Sequence, residues 1–214
     1  MKTMAKTLLV IFAVAGGLMV ASQARAVSFT KKEKSSLAAG KTVKQPLARS
    51  GLNGFYGGTG YTVINAPIDE IWAAIEDWNV YRKVYPNTVS VKEVSRKGNR
   101  SLIRMEQGHR LLSVSYFVEV ERDTEKNMLS FNLVKNKPHD IDETRGYWRL
   151  FPQADGSTLV AYAVAVQVPR GIVSILGSSL SRALERAILG VPGSLKKWME
   201  GPSGNRYRTL TASK

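Results

Sequence analysis

The residues of this chain that are suited to chemistry are few. It has two histidines and no cysteine. Disulfides, thiolate metal sites and cysteine nucleophiles are therefore excluded. His139-Asp140-Ile141-Asp142-Glu143 gathers an imidazole and three carboxylates, the donor types of a zinc or hard-metal site. Such a site needs three or four converging ligands, and neighbours on a strand-joining loop diverge. A solvated loop is the default there, and no metal is assigned. His109, between Gly108 and Arg110, is read as a turn or rim residue because no second catalytic group accompanies it. Gly177-Ser178-Ser179 is not a Gly-x-Ser-x-Gly elbow and sits within a helical pattern. Glu106, Glu119 and Glu121 are acid/base candidates by position only. Glu119 and Glu121 fall on the strand face opposite Tyr116 and Val118, toward water. Gly54, Gly57, Gly58 and Gly60 lack the preceding strand and following helix of a phosphate loop. Arg96, Lys97 and Arg100 share a hairpin with no aromatic among them, which argues against nucleic acid. No catalytic residue and no cofactor is assigned.

What remains is an apolar, ring-rich set. Trp72, Tyr81, Tyr85, Leu112, Val114, Tyr116, Phe131, Leu133, Trp148, Leu150, Tyr162, Val164, Leu176, Leu180 and Leu184 are the candidate lining of a ligand cavity. They could equally fill a core, since interiors pack closely. Both readings stand: most are core, and a subset faces the cavity. Arg170, Ile172 and Ile175, an apolar turn beside a strand end, are the candidate gate.

The elements that must position this set follow from periodicity. Tyr61 to Ile64 reads as a strand stopped by Asn65-Ala66-Pro67. Ile68, Ile71, Trp72 and Ile75 share a helical face, with Asp69 and Glu70 in the first turn. A short second helix or turn follows over 79–86. From Val89 the period becomes two, which predicts about six sequential strands with one covered face. Residues 172–200 then show a helical stripe, interrupted at Gly190-Val191-Pro192-Gly193, where a break is expected. The sum is an α+β domain: a curved antiparallel sheet of about seven strands wrapped around a long C-terminal helix, with two short helices after the first strand.

The ends differ in character from this body. Lys2 and Lys6, the uncharged run Leu8 to Ala21, and Ala24-Arg25-Ala26 form the three parts of a secretory signal, cut after Ala26. A retained N-terminal anchor is the alternative. Residues 27–53 read as a basic, flexible lead-in, 54–200 as the domain, and 201–214 as a polar, frayed tail. The net charge is +14. For an exported chain this favours anionic membrane surfaces over nucleic acid, beside the plain reading of a basic soluble surface.

Several strings resemble a family. Ile64-Asn65-Ala66-Pro67-Ile68-Asp69-Glu70-Ile71-Trp72, Tyr81-Arg82-Lys83-Val84-Tyr85-Pro86-Asn87, Gly146-Tyr147-Trp148-Arg149-Leu150 and Gly156-Ser157-Thr158-Leu159-Val160-Ala161-Tyr162 carry the likeness. In that order they resemble the START-like, or Bet v 1-like, helix-grip superfamily (SRPBCC). The nearest subgroup is the polyketide cyclase/dehydrase and coenzyme Q-binding Coq10-like group. The resemblance implies a cavity between sheet and C-terminal helix that holds a lipid, quinone or polyketide-like molecule. It leaves three functions open: an exported carrier, a cyclase/aromatase-type enzyme, and a protein-interaction module.

Overall fold

The computed structural model describes residues 28–48, 55–85, 87–109, 112–169, 171 and 182–211. Eight strands form one sheet, antiparallel at every pairing, in the order β1-β2-β8-β7-β6-β5-β4-β3. They are β1 (Val43–Pro46), β2 (Phe55–Ile64), β3 (Thr88–Lys97), β4 (Arg100–His109), β5 (Leu112–Asp123), β6 (Met128–Leu133), β7 (Glu143–Pro152) and β8 (Thr158–Gln167). The expected helix-grip architecture is present, with one strand more than the sequence suggests. That strand is β1.

The two-residue period sets which side chains face inward. Ile103↔Val118, Met105↔Tyr116, Leu129↔Trp148 and Trp148↔Tyr162 are cross-strand partners on the concave face. All of these belong to the main buried core, with Ile64, Ile71, Ile75, Leu195 and Met199. Helix α2 (Ile68–Ile75) buries Ile71, Trp72 and Ile75 against this face. Helix α3 (Trp78–Val84) is capped by Asp77, which accepts from Asn79 N at 3.0 Å.

β2 carries three glycines, Gly57, Gly58 and Gly60. Gly57 and Gly58 have φ of +138° and +141°, a region only glycine enters freely. A Cβ on Gly57 would strike the Val164 carbonyl, and one on Gly58 the Gln45 carbonyl. Farther along, Gly60 permits a close approach. A Cβ there would lie 2.6 Å from the Leu189 carbonyl oxygen and 3.1 Å from Pro192 Cγ. Residues 182–188 are helical, 189–190 turn, and α4 (Val191–Glu200) begins with Pro192 in its first turn. The expected helix break is thus present, and it is seated on a bare patch of β2. Pro192 costs nothing there, because first-turn N–H groups have no intrahelical partner.

Two terminal expectations are corrected. The lead-in was expected to lack order, yet it forms α1 (Lys31–Ala38) and β1. A capping box starts α1: Glu33 N donates to Thr30 Oγ1 at 3.2 Å, and Thr30 N to Glu33 Oε2 at 2.8 Å. The cause of its order lies on the sheet's outer face. Tyr61 and Ala161 leave apolar surface there, flanked by Val63, Phe151 and Leu159. Leu37, Val43 and Phe29 cover it as a second core. The tail was expected to fray, yet Pro202–Gly204 forms a 3₁₀ turn and α5 (Asn205–Thr211) follows. Tyr207 is buried in the main core, and its hydroxyl donates to Asp77 Oδ2 at 3.0 Å.

Two substitutions on β2 should act in opposite directions. Gly60→Val would unseat the 189–192 turn and should cost about 1–3 kcal/mol in urea unfolding. Thr62, two residues on, is fully buried, and its hydroxyl has no partner among the described residues. Thr62→Val should raise stability by about 1 kcal/mol, a gain of about 2–4 °C in Tm for a chain of this size.

Candidate ligand site on the concave face

The centre of the concave face is a cluster of rings supplied by four elements. Trp148 of β7 and Tyr162 of β8 are register partners with ring centroids 4.6 Å apart. Phe131 of β6 faces Gly146 of β7. A Cβ on Gly146 would lie 2.5 Å from Phe131 Cζ, so this glycine is what lets the Phe131 ring lie over β7. Phe131 stacks toward Tyr162 at 6.1 Å and 23°. From above, α3 contributes Tyr81, and the residue that caps it contributes Tyr85. These two rings stack at 4.7 Å and 15°. Tyr85 meets both Trp148 and Tyr162 edge-on. Its hydroxyl accepts from Trp148 Nε1 at 2.9 Å. Beside the cluster, the Tyr116 hydroxyl donates to Gln107 Oε1 at 2.7 Å.

Burial governs the electrostatics. It pushes the hydroxyls of Tyr81, Tyr85, Tyr116 and Tyr162 well above the ordinary phenol value of 10.0. For Tyr81 and Tyr162, hydrogen bonding with Tyr85 opposes burial without cancelling it. These phenols stay neutral at physiological pH. They can orient a polar oxygen, but they do not take up a proton as a base. Among the described residues the ring cluster itself contains no carboxylate, imidazole or amine. Glu185 Oε1, on residues 182–188, is the one buried carboxylate oxygen without a partner among the described residues.

Beside the β3–β4 turn the described residues are polar and their charges are matched. A recess of about 100 Å³ there is lined by Glu76, Trp78, Arg96, Asn99, Ser101 and Arg122, among others. Glu93 accepts from Trp78 Nε1 at 2.6 Å, Arg96 Nε at 2.7 Å and Ser101 Oγ at 3.0 Å. The Arg96 bond, foremost, holds its carboxyl down at about 2. Arg122 pairs with Glu76 at 2.9 Å and lies over the Trp72 ring at 4.6 Å. Each guanidinium thus has its own carboxylate. Outside the sheet, a groove of about 360 Å³ runs between α1, Asp155, Ser157 and Lys196.

The anticipated residues divide into groups. Tyr81, Tyr85, Phe131, Trp148 and Tyr162 converge in the ring cluster, with Val114, Tyr116, Leu133, Leu150 and Val164 in the same core. Trp72 is in that core too, but under Arg122 and away from the rings. Leu184 is half-buried on residues 182–188. Arg170, Ile172, Ile175, Leu176 and Leu180 lie outside the described residues, as do Gly177-Ser178-Ser179 and the Leu112 side chain. The acidic loop has a structural role. Asp140 Oδ2 accepts from Ser115 N at 2.8 Å, His139 Nδ1 donates to the Ile141 carbonyl at 2.8 Å, and Ile141 is buried in the core. Among the described residues no three His, Asp or Glu side chains converge for a metal. Gln107, Glu93 and Arg122 were not anticipated. Gln107 and Arg122 continue the inward alternation of Met105 and Val120, and a polar residue in that phase was the readable sign.

Spectrophotometric alkaline titration should leave at least four of the eight tyrosines un-ionised until the protein unfolds. Because the folded values are raised, this contribution to stability is intact below pH 10 and is lost as pH rises beyond it. Tyr85→Phe would strand the Trp148 N–H and should cost about 1–3 kcal/mol. At the other extreme, Glu93 stabilises the fold above its ordinary 4.5 and ceases to as pH falls toward about 2. Glu93→Gln should flatten the acid limb of a stability–pH curve between those values.

The sequence profile of a family described as polyketide cyclase/dehydrase and lipid transport matches residues 64–189. No curated protein matches the chain. Among solved structures, a Thermus thermophilus protein is 19% identical, with TM-score 0.55, over 74% of this chain and 99% of that one. The Zhui aromatase/cyclase from a Streptomyces species is 13% identical, with TM-score 0.54, over 70% and 98%. A START superfamily protein from Mycobacterium smegmatis is 15% identical, with TM-score 0.53, over 72% and 98%. At these identities the likeness is one of fold. The profile spans more than half of the sequence, from the end of β2 to the helix break on Gly60, and the chain therefore belongs to the polyketide cyclase/dehydrase and lipid transport family.

Proposed function

We propose that this chain is an exported, non-enzymatic carrier of a hydrophobic molecule, a lipid, quinone or polyketide-like compound, held against the ring cluster of the concave face. The observation behind this reading is the chemistry of that cluster: buried, neutral phenols and an indole set in an apolar surface. Such a surface binds by burial and orients by a few hydrogen bonds. A ligand losing about 400 Å² of apolar area gains about 10 kcal/mol before association costs. A cyclase needs a matched acid and base near the reacting atoms. Among the described residues the titratable groups of the ring cluster are phenols that stay neutral, and no carboxylate or imidazole is paired with them as a base, so the lipid-transport side of the family description fits better. Export rests on the Lys2/Lys6, Leu8–Ala21 and Ala24-Arg25-Ala26 pattern, which points to a periplasmic or secreted protein cut after Ala26.

Native mass spectrometry and solvent extraction of protein recovered from the periplasm test this directly. The expected result is a mass starting at Val27 with an apolar compound bound in near-stoichiometric amount. The fluorescent apolar probe N-phenyl-1-naphthylamine should compete with it, and Phe131→Asp should weaken probe binding by about tenfold with the circular dichroism unchanged. Glu185→Gln should leave binding intact. An empty protein that also ignores the probe would overturn the proposal.

A further inference from the structure

The cations of this chain are unevenly placed. Residues 64–189 hold 17 Lys and Arg against 15 Asp and Glu, whereas residues 27–63 and 190–214 together hold 11 against two. The family segment is thus nearly neutral, and the basic character belongs to its flanks. The fold brings α1, β1 and α4 of these flanks together at one edge of the sheet, while Arg206 of α5 lies instead beside Asp77. β1 pairs with β2 from Val43↔Tyr61 to Pro46↔Gly58. The turn before α4 sits on Gly60 of the same strand. Lys44 Nζ crosses the edge to the Arg186 carbonyl at 3.0 Å, and Lys196 packs beside Gly40.

Lys31, Lys34, Lys41, Lys44 and Lys197 of the flanks, with Arg186 of the family segment, are all exposed. None of the six has a carboxylate partner among the described residues. The two local acids are engaged. Glu33 bonds Thr30 and Gln45, and Glu200 bonds Lys196. Next to this patch Leu47 is an exposed large aliphatic residue, held by its N–H to the Gly57 carbonyl at 3.0 Å.

We propose that this basic β1 edge is a docking surface for an anionic lipid bilayer. The inference rests on the carrier reading, because apolar cargo is exchanged with a lipid phase. Unpaired lysines gather at a negatively charged leaflet, and an aliphatic side chain beside them can enter the headgroup layer. Single-stranded nucleic acid would require exposed aromatic platforms, and no aromatic residue is exposed among the described ones.

The test uses the chain from Val27, which contains every described element, and vesicle co-sedimentation. It should bind phosphatidylglycerol/phosphatidylcholine vesicles over pure phosphatidylcholine, with binding that falls as salt is added. The triple Lys31→Glu, Lys41→Glu, Lys197→Glu should weaken this by about tenfold or more. The triple Lys92→Glu, Lys97→Glu, Arg104→Glu makes the same charge change around the opposite edge, β3. It should weaken binding by less than about twofold. Equal losses in both triples would overturn the proposal. So would an absence of preference for anionic vesicles, or tighter binding to single-stranded DNA at the same ionic strength. N-phenyl-1-naphthylamine binding should survive the first triple. If vesicle docking fails while probe binding persists, the basic edge is refuted and the carrier reading stands. If docking persists in a protein that binds no probe, the carrier reading is the one that fails.

Discussion

The seat of residues 189–192 on Gly60 decides how the concave face is covered. A curved sheet with one apolar face must hide that face from water. In this protein the cover is not one straight helix. It breaks at Leu189–Gly190, and the break is pressed onto Gly60 of β2, where the missing Cβ lets the Leu189 carbonyl and the Pro192 ring touch the strand. From that point α4 runs on over β2, burying Val191, Leu195 and Met199. Tyr207 of α5 then completes the cover over α2. The ring cluster lies along the same face, where β6, β7 and β8 turn Phe131, Trp148 and Tyr162 toward α3.

Electrostatics divides this face into two chemistries. Beside the β3–β4 turn and the α2–α3 corner, charge is permitted because it is matched locally: Glu93 with Arg96, Glu76 with Arg122, Asp77 with Arg206. These pairs are partly solvated and each is worth little as a stabiliser. Their geometry ties the β3–β4 hairpin, β5 and α5 to the α2–α3 corner. At the centre the polar groups are phenols and an indole, which tolerate burial when hydrogen-bonded and neutral. The ring cluster offers apolar area and oriented dipoles, and among the described residues it holds no fixed charge.

Much of the inner architecture was legible in the sequence because it obeys short periods. The alternation through Leu112, Val114, Tyr116, Val118 and Val120 identified the inward face of β5. Tyr81, Tyr85, Phe131, Trp148 and Tyr162 proved to meet in space. The Gly190-Val191-Pro192-Gly193 break was readable because a mid-helix proline has few alternatives. The rest depended on surfaces far away in sequence. α1 and β1 are short and polar, and they order only because Tyr61 and Ala161 leave an apolar patch on the outer face. Tyr207 looks like a tail residue until Asp77 and α2 are placed beside it. Trp72 shares a helical face with Ile68, Ile71 and Ile75, yet its neighbour is the Arg122 guanidinium from 50 residues on. The His139 cluster had the composition of a metal site. Ile141, the apolar residue in its middle, was the part that mattered, since its burial turns the flanking acids outward onto Ser115 and Lys135.

Photo-crosslinking with a diazirine-bearing palmitate, followed by peptide mapping, would locate cargo on the molecule itself. Label on the β6, β7 and β8 peptides that carry Phe131, Trp148 and Tyr162 is the result this account requires. Label confined to Leu37, Ala38 and Lys196 around the outer groove would contradict it.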